Sequence, residues 1–310
     1  MSSSLSSTTT TFTLPNTNPS IPVTHPSTLT KDQLLNFPAF KTWLNTLQRS
    51  LSLQHSSASH PFHGSPYSLR SINVQSVDFF SGHRLGFLKL KATVTNDQGE
   101  SLPGSVFMRG GSVAMLIILT PSPSPSPCPE QSSSRATTTT TSQEQPRPEE
   151  EYAILTTQPR VPAGSLSFVE LPAGMIDDSG TFAGAAAQEI REETGLEIAS
   201  DELVDMTRLA SSVTHAPHND PEEEEEQLQA AIYPSPGGSD EFIPIFLARK
   251  ALPRAQIEAL KGKLTGLRDH GEKITLQIVS LHEVWKVAWR DGKTLAAMAL
   301  YQGLKGEGKL

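Results

Sequence analysis

The 310-residue chain has one cysteine, Cys128, so no disulfide can form within it. That fits a reducing compartment, or a fold with no need of a crosslink. Long apolar runs are also missing. The longest, residues 113–119, is far too short to span a bilayer as a helix and reads as a buried strand. Nor is basic charge in excess. With 33 acidic and 25 basic residues the net charge is −8, which argues against a general basic surface for nucleic acid. The first thirty residues contain no Asp, Glu, Lys or Arg. They lack both the basic start and the apolar core of a secretory signal, and the arginines of a mitochondrial presequence. A plastid transit peptide and a disordered tail both suit this Ser/Thr/Pro-rich composition, and the tail is the expectation. A cytoplasmic location is expected, with plastid or mitochondrial import left open.

What is present is enough length for one large or two small domains, at a low hydrophobic fraction of 36%, so part of the chain is expected not to pack. Residues 32–53 carry apolar side chains at helical spacing, interrupted or restarted at Pro38. Residues 72–94 alternate in β fashion around a turn at Ser81-Gly82-His83, and Asn96 to Gly99 form a further turn. SVFMRGGSVAMLIIL follows as a strand pair or a strand with a glycine bulge. Residues 121–150 are low in complexity and read as an insertion before the strand that begins at Tyr152. A second insertion, 215–229, holds HAPHNDPEEEEEQLQ; histidines and glutamates suggest a metal, but nothing fixes ligand geometry and an acidic loop is the expectation. Residues 230–250 read as strand, Pro/Gly turn and strand. Residues 253–264 read as a helix, ITLQIVSL as a strand, and 281–303 as a closing helical region. Strands and helices mix without regular alternation, which points to α/β or α+β with a mixed sheet.

One stretch, GMIDDSGTFAGAAAQEIREETGL at 174–196, concentrates Glu189, Glu192 and Glu193 just before Gly195. Positions i, i+3 and i+4 share a helix face, and negative charge is disfavoured at a helix C-terminus. Two readings fit: a solvated acidic face, or carboxylates gathered around a divalent cation such as Mg²⁺, which takes oxygen ligands.

The stretch resembles the Nudix hydrolase signature of Gly, five residues, Glu, seven residues and Arg-Glu-apolar-x-Glu-Glu-x-Gly-apolar. Gly174 opens it and Glu189 to Leu196 close it at the right spacing. Two positions depart: Gly180 stands at the first Glu and Gln188 at the Arg. Further similarity, in LPGSVFMRGGSVAMLIIL, QPRVPAG, FVELPAGMIDD, YPSPGGSDE and TGLRDHGE, is to the ADP-sugar diphosphatase and ADP-ribose pyrophosphatase branch. The resemblance implies an α/β fold, an α/β/α sandwich around a mixed sheet with an N-terminal β region, pairing as a homodimer. It covers about residues 70–310; with the composition it suggests a disordered tail at 1–30, a helix and β region at 31–105, and the hydrolase domain at 106–310 with disordered insertions at 121–150 and 215–229.

The resemblance also implies a chemistry: Mg²⁺-dependent hydrolysis (Mn²⁺ as a substitute) of ADP-glucose or ADP-ribose to AMP and a sugar phosphate, with no nucleic-acid or membrane partner. It assigns Glu189, Glu192, Glu193 and the Ala173 carbonyl to the metal. Arg109, Arg160 and Glu170 go to the substrate, the arginines because a guanidinium fork suits phosphate oxygens. Glu272, in the loop GLRDHGE, is the expected base, with Asp269 and His270 in reserve and Glu241 as second choice; Glu192 is a further candidate for holding the water. Gly195 is expected just past the helix end, and Gly174 where backbone approaches the metal. Gln188 still donates a hydrogen bond but carries no charge, and Asp177 and Asp178 are candidates to stand in for the acid missing at Gly180. These departures make a module that binds nucleotide sugars without turnover the alternative expectation.

Overall fold

The structure is a computed structural model and describes residues 8–15, 17, 19–122, 150–176, 181–214, 226–266 and 273–310. Most of both expected insertions, the loop 267–272 and residues 177–180 lie outside the described residues. The chain divides into two compact units. The first comprises Met1–Ser112, Met175–Gly180 and Thr207–Pro244, the second Val113–Gly174, Thr181–Met206 and Ile245–Leu310. The grouping is discontinuous, whereas the sequence suggests contiguous blocks divided at residue 105. The physical reason lies in long-range pairing: the Phe107 N–H donates to the Gly238 carbonyl at 2.8 Å, and Asp240 accepts from the Arg109 N–H at 2.8 Å.

The first unit is built on a six-stranded sheet of β1 (Thr9–Thr13), β2 (Pro22–Pro26), β3 (Ser68–Phe79), β4 (Leu85–Thr95), β5 (Ser101–Leu102) and β6 (Ser105–Met108). Its order is β1-β2-β3-β4-β5, with β6 also on β4. Strand β2 runs parallel to β3, with Val23 opposite Ile72, and the other pairs are antiparallel. Along β4 the residues Leu88, Leu90, Ala92 and Val94 are buried and their neighbours are not, the period-two pattern of a half-buried strand. Helices α1 (Lys31–Asn36) and α2 (Pro38–Ser56) cover this core. Thr30 and Gln33 form a reciprocal capping box that starts α1. Phe37 is extended because it precedes a proline, and Pro38 then opens α2 where a missing N–H costs nothing.

The described part of the expected tail is ordered structure. Residues 9–29 supply β1, β2 and four core side chains, Leu14, Ile21, Val23 and Leu29, each nearly or wholly buried. Averaged over thirty residues these few apolar positions vanish into the Ser/Thr background, although the sheet needs only them. Leu29→Ala is therefore expected to lower unfolding stability by about 2–5 kcal/mol. Urea melts followed by Trp fluorescence would read it, and an unchanged midpoint would contradict the burial.

The second unit holds β7 (Ser112–Ser122), β8 (Tyr152–Arg160), β9 (Ser165–Glu170), β10 (Ala173–Met175), β11 (Val204–Asp205), β12 (Ile245–Pro253), β13 (Leu264–Thr265) and β14 (Ile274–Ser280). The order is β11-β12-β7-β8-β14-β13, with β10 on β7 and β9 on β8. Strand β12 is parallel to β7, and β8 is antiparallel to both β7 and β14, so the sheet is mixed as expected. The apolar run 113–119 is fully buried along β7, which has neighbours on both edges. Helices α3 (Phe182–Thr194), α5 (Arg254–Leu260), α6 (Val284–Val287) and α7 (Gly292–Gly306) belong to this unit, whereas α4 (Met206–Thr214) lies in the first unit from Thr207 on, and the fold is mixed α/β. Before β12 the expected strand is reduced to a single bridge, Ile232 with Ile243, since Pro234, Pro236, Gly237 and Gly238 prevent a regular ladder. No helix among the described residues is long and apolar enough to cross a membrane.

Candidate active site

Helix α3 carries the acidic cluster. Thr181 caps its N-terminus by accepting from the Gly184 N–H at 3.1 Å, and Gly195 ends it in the left-handed conformation at φ 75°. Over the last two turns Glu189 and Glu193, four residues apart, face the two-residue stretch Ala173-Gly174 in β10. The Ala173 N–H donates to Glu193 Oε2 at 3.0 Å. At Gly174 a Cβ would stand 1.7 Å from Glu189 Cδ, so the Glu189 carboxylate occupies the space that any other residue would fill. The glycine at the head of the motif is thus required by side-chain approach and not by a turn.

Glu193 is 4% exposed. Burial first, and then the charge of Glu189, push its carboxyl well above the usual carboxylate range; the Ala173 N–H and Arg160 pull the other way, while Glu170 adds to the rise. A buried carboxylate beside a second carboxylate is eased by a proton or a cation. Among the described residues no group of three or more His, Cys, Asp and Glu is gathered into a ready cage. A donor set of two carboxylates with space on a glycine nevertheless suits Mg²⁺, which is usually completed by substrate phosphates and water. Glu192 lies one residue away with its Oε1 accepting from Gln188 Nε2 at 3.0 Å. The hydrogen bond expected of Gln188 is therefore present, without the charge an arginine would bring.

Glu170 and Arg160 come together in the same unit. Glu170 is 1% exposed, and its two oxygens are divided between two cations. Oε1 accepts from Arg160 Nε at 2.6 Å and Oε2 from Lys293 Nζ at 2.5 Å. Both oxygens are thereby engaged within the fold, so Glu170 serves the two cations it holds. Burial works against the charge on Arg160, but the hydrogen bond and charge of Glu170, with Glu193 and Asp291 beyond, more than offset it and hold its pKa above the usual value. At Lys293 burial is likewise outweighed by Glu170 and Asp291, so its pKa is raised.

Arg109 and Glu241 belong to the first unit and pair with each other, Arg109 Nη1 to Glu241 Oε1 at 2.9 Å. The Ser112 hydroxyl donates to the same oxygen at 3.0 Å. Asp240 binds the Arg109 and Gly110 backbone N–H groups; burial raises its pKa while those N–H groups and the Arg109 charge oppose the rise. Arg109 Nε is buried and has no hydrogen-bond partner among the described residues. Glu272, Asp269 and His270, together with Gly180, Asp177 and Asp178, lie outside the described residues.

Sequence reasoning passes over Asp240, Asp291 and Lys293. Asp291 carried a signal, since an Asp just before an apolar helical run is an N-cap pattern. Lys293 carried a subtler one: a cation in a first helical turn opposes the macrodipole and needs a compensating partner.

Residues 145–298 match the family model of the NUDIX domain. Over 315 aligned residues the chain is 35% identical to Nudix hydrolase 14, chloroplastic, of Arabidopsis thaliana, an alignment that covers 99% of this chain and 85% of that protein. Among solved structures it overlaps an ADP compounds hydrolase at 16% identity and a TM-score of 0.41, covering 78% of this chain and 99% of the other.

Proposed function

The chain belongs to the Nudix hydrolase family and is a hydrolytic enzyme, and from that premise we propose that it is a Mg²⁺-dependent diphosphatase of nucleotide sugars, cleaving ADP-glucose or ADP-ribose to AMP and a sugar phosphate. The observation that carries this reading is the Glu189–Glu193 pair set against Ala173-Gly174, where a Cβ would overlap the Glu189 carboxylate. The reaction breaks one P–O bond of the diphosphate bridge and makes one to a water oxygen, and the water gives up a proton. When bound, the cation neutralises phosphate charge and acidifies the attacking water. Glu189, Glu193 and the Ala173 carbonyl are assigned to hold it, with Glu192 adding a ligand or orienting the water.

Arg160, fixed by Glu170, and Arg109, by the family resemblance, are assigned to phosphate oxygens. We assign the proton to Glu272. Glu241 is the weaker choice because Arg109 and Ser112 already occupy its Oε1. A chloroplastic relative leaves plastid import open. In this reading residues 9–29 remain part of the mature fold, since they complete the first unit's core. A homodimer is expected, and light scattering behind size exclusion measures it.

The reading is tested by resolving AMP after incubation with ADP-glucose, ADP-ribose or UDP-glucose, with Mg²⁺ or with EDTA. Turnover of an ADP-sugar that EDTA abolishes is the expected result. Binding without turnover on the whole panel would replace it with the non-hydrolysing module, which the uncharged Gln188 favours. Gln188→Arg converts a neutral hydrogen bond to Glu192 into a charge-assisted one, roughly twice as strong, and is expected to raise kcat several-fold. An unchanged kcat would mean that the Gln188–Glu192 contact already holds Glu192 adequately.

A further inference from the structure

Two residues at the start of α7, Asp291 and Lys293, bear on the site although neither belongs to the family motif. Lys293 Nζ is shared between Glu170 Oε2 at 2.5 Å and Asp291 Oδ1 at 2.9 Å, and the side chain is only 15% exposed. Asp291 is 4% exposed. Its Oδ1 accepts from the Lys293 N–H, and its Oδ2 from the Thr294 N–H, the Thr294 hydroxyl and the Leu171 N–H. One carboxylate thus caps a fifteen-residue helix and reaches the link between β9 and β10.

That link is Leu171-Pro172, and three of the backbone groups in and next to it have defined fates. The Leu171 N–H goes to Asp291 at 3.3 Å, Pro172 has no N–H, and the Ala173 N–H goes to Glu193. The Pro172 carbonyl accepts from the Met115 N–H at 3.0 Å. At the near end of the link Glu170 is held by Lys293, and Glu170 in turn holds Arg160. Two carboxylates and two cations balance within this group. Without Lys293, Glu170 and Asp291 would compete for the one remaining guanidinium and draw Arg160 inward, because a buried carboxylate stripped of its partner is costly.

We propose that Lys293 and Asp291 are positioning residues of the hydrolytic site: Lys293 divides Glu170 so that Arg160 stays aimed at a substrate phosphate, and Asp291 fixes the backbone that leads to Ala173. The proposal rests on the assignment of Arg160 to a phosphate.

The test is a double-mutant cycle on the full chain at a temperature well below the Tm of every variant. Lys293→Met is expected to raise KM for ADP-ribose about tenfold with a smaller change in kcat, Arg160→Met to do likewise, and the double variant to be no worse than the worse single one. Lys293→Arg is expected to restore most of the KM. Should Lys293→Met fold poorly, Lys293→Gln takes its place in the cycle. Multiplying penalties, or a KM within twofold of wild type, would overturn the proposal, because a residue acting only on stability leaves KM uncoupled from Arg160. A second readout does not depend on turnover. The Arg160 Nε–H, bonded to a buried carboxylate, is expected as a slowly exchanging ¹⁵N-coupled resonance that shifts in Lys293→Met and returns in Lys293→Arg. If wild type hydrolyses nothing, the functional reading fails and this resonance still decides: unchanged in Lys293→Met, it overturns the positioning role as well.

Discussion

Glu193→Gln is expected to lower kcat on the best ADP-sugar by on the order of 100-fold or more, since a lost carboxylate ligand removes several kcal/mol of transition-state charge stabilisation. The fold is expected to survive, and in the metal-free protein to gain. The Glu193 carboxyl is buried beside Glu189 and stands well above the usual carboxylate range. A group whose folded pKa is raised binds its proton more tightly in the native state. Its ionisation therefore costs stability progressively as pH rises from the ordinary carboxylate range through the raised folded value, and the penalty is complete above it. Wild type in EDTA should accordingly melt lower at pH 8 than a carboxylate-only reference would suggest, and excess Mg²⁺ should raise its Tm. Gln has no proton to lose, so the variant in EDTA should melt at or above wild type at pH 8 and gain nothing from Mg²⁺. Near-normal turnover in the variant, or a Tm that still responds fully to Mg²⁺, would show that Glu193 is not a ligand.

The second large effect is expected from a single methyl group. In Gly174→Ala the new Cβ would lie 1.7 Å from Glu189 Cδ, 1.8 Å from Oε1 and 2.3 Å from Oε2. These atoms end a flexible side chain on α3, so relief requires only that the carboxylate swing away. Such a move is inexpensive for the fold, within about 1 kcal/mol, because a rotamer change leaves the backbone in place. For the site it is severe, since a ligand displaced by an ångström or more no longer meets the tight octahedral demand of Mg²⁺. Activity is expected to fall on the order of 100-fold, with a shift in the Mg²⁺ concentration at half-maximal rate. Circular dichroism and Tm should stay near wild type. A variant that loses Tm along with activity would point to a structural glycine; one that retains both would mean that Glu189 is not needed where it stands.

Much of this site is legible in the order of residues. The i, i+4 spacing of Glu189 and Glu193, the helix-ending Gly195 and the glycine at 174 carry a pattern, and the structure gives each of those features a physical reason. Gln188 is legible too as a donor, and the bond to Glu192 follows from helix geometry alone, since the two are also four apart. Glu170 is a different case. Its neighbours in FVELPAG suggest a substrate group, yet its burial and its two cations emerge only when Arg160, ten residues back on β8, and Lys293, in a helix 123 residues on, converge. The start of the chain misleads for a related reason. Disorder inferred from composition counts residues, whereas β1 and β2 depend on four well-placed apolar side chains and on a sheet edge offered by β3.

By itself, the sequence determined whatever depends on short-range periodicity. That includes the α3 carboxylates, the restart of a helix at Pro38, the alternation of β4 and the buried run of β7, because helix and strand geometry convert spacing into facing within a few residues. Only the tertiary structure decided which charges are already satisfied and which are left over. Arg160, Glu170, Asp291 and Lys293 neutralise one another, Arg109 closes on Glu241, and Glu193 is buried beside the charge of Glu189. Coulomb interactions and desolvation depend on distances through space and on exclusion from water, and the sequence sets neither until strands and helices distant along the chain have packed.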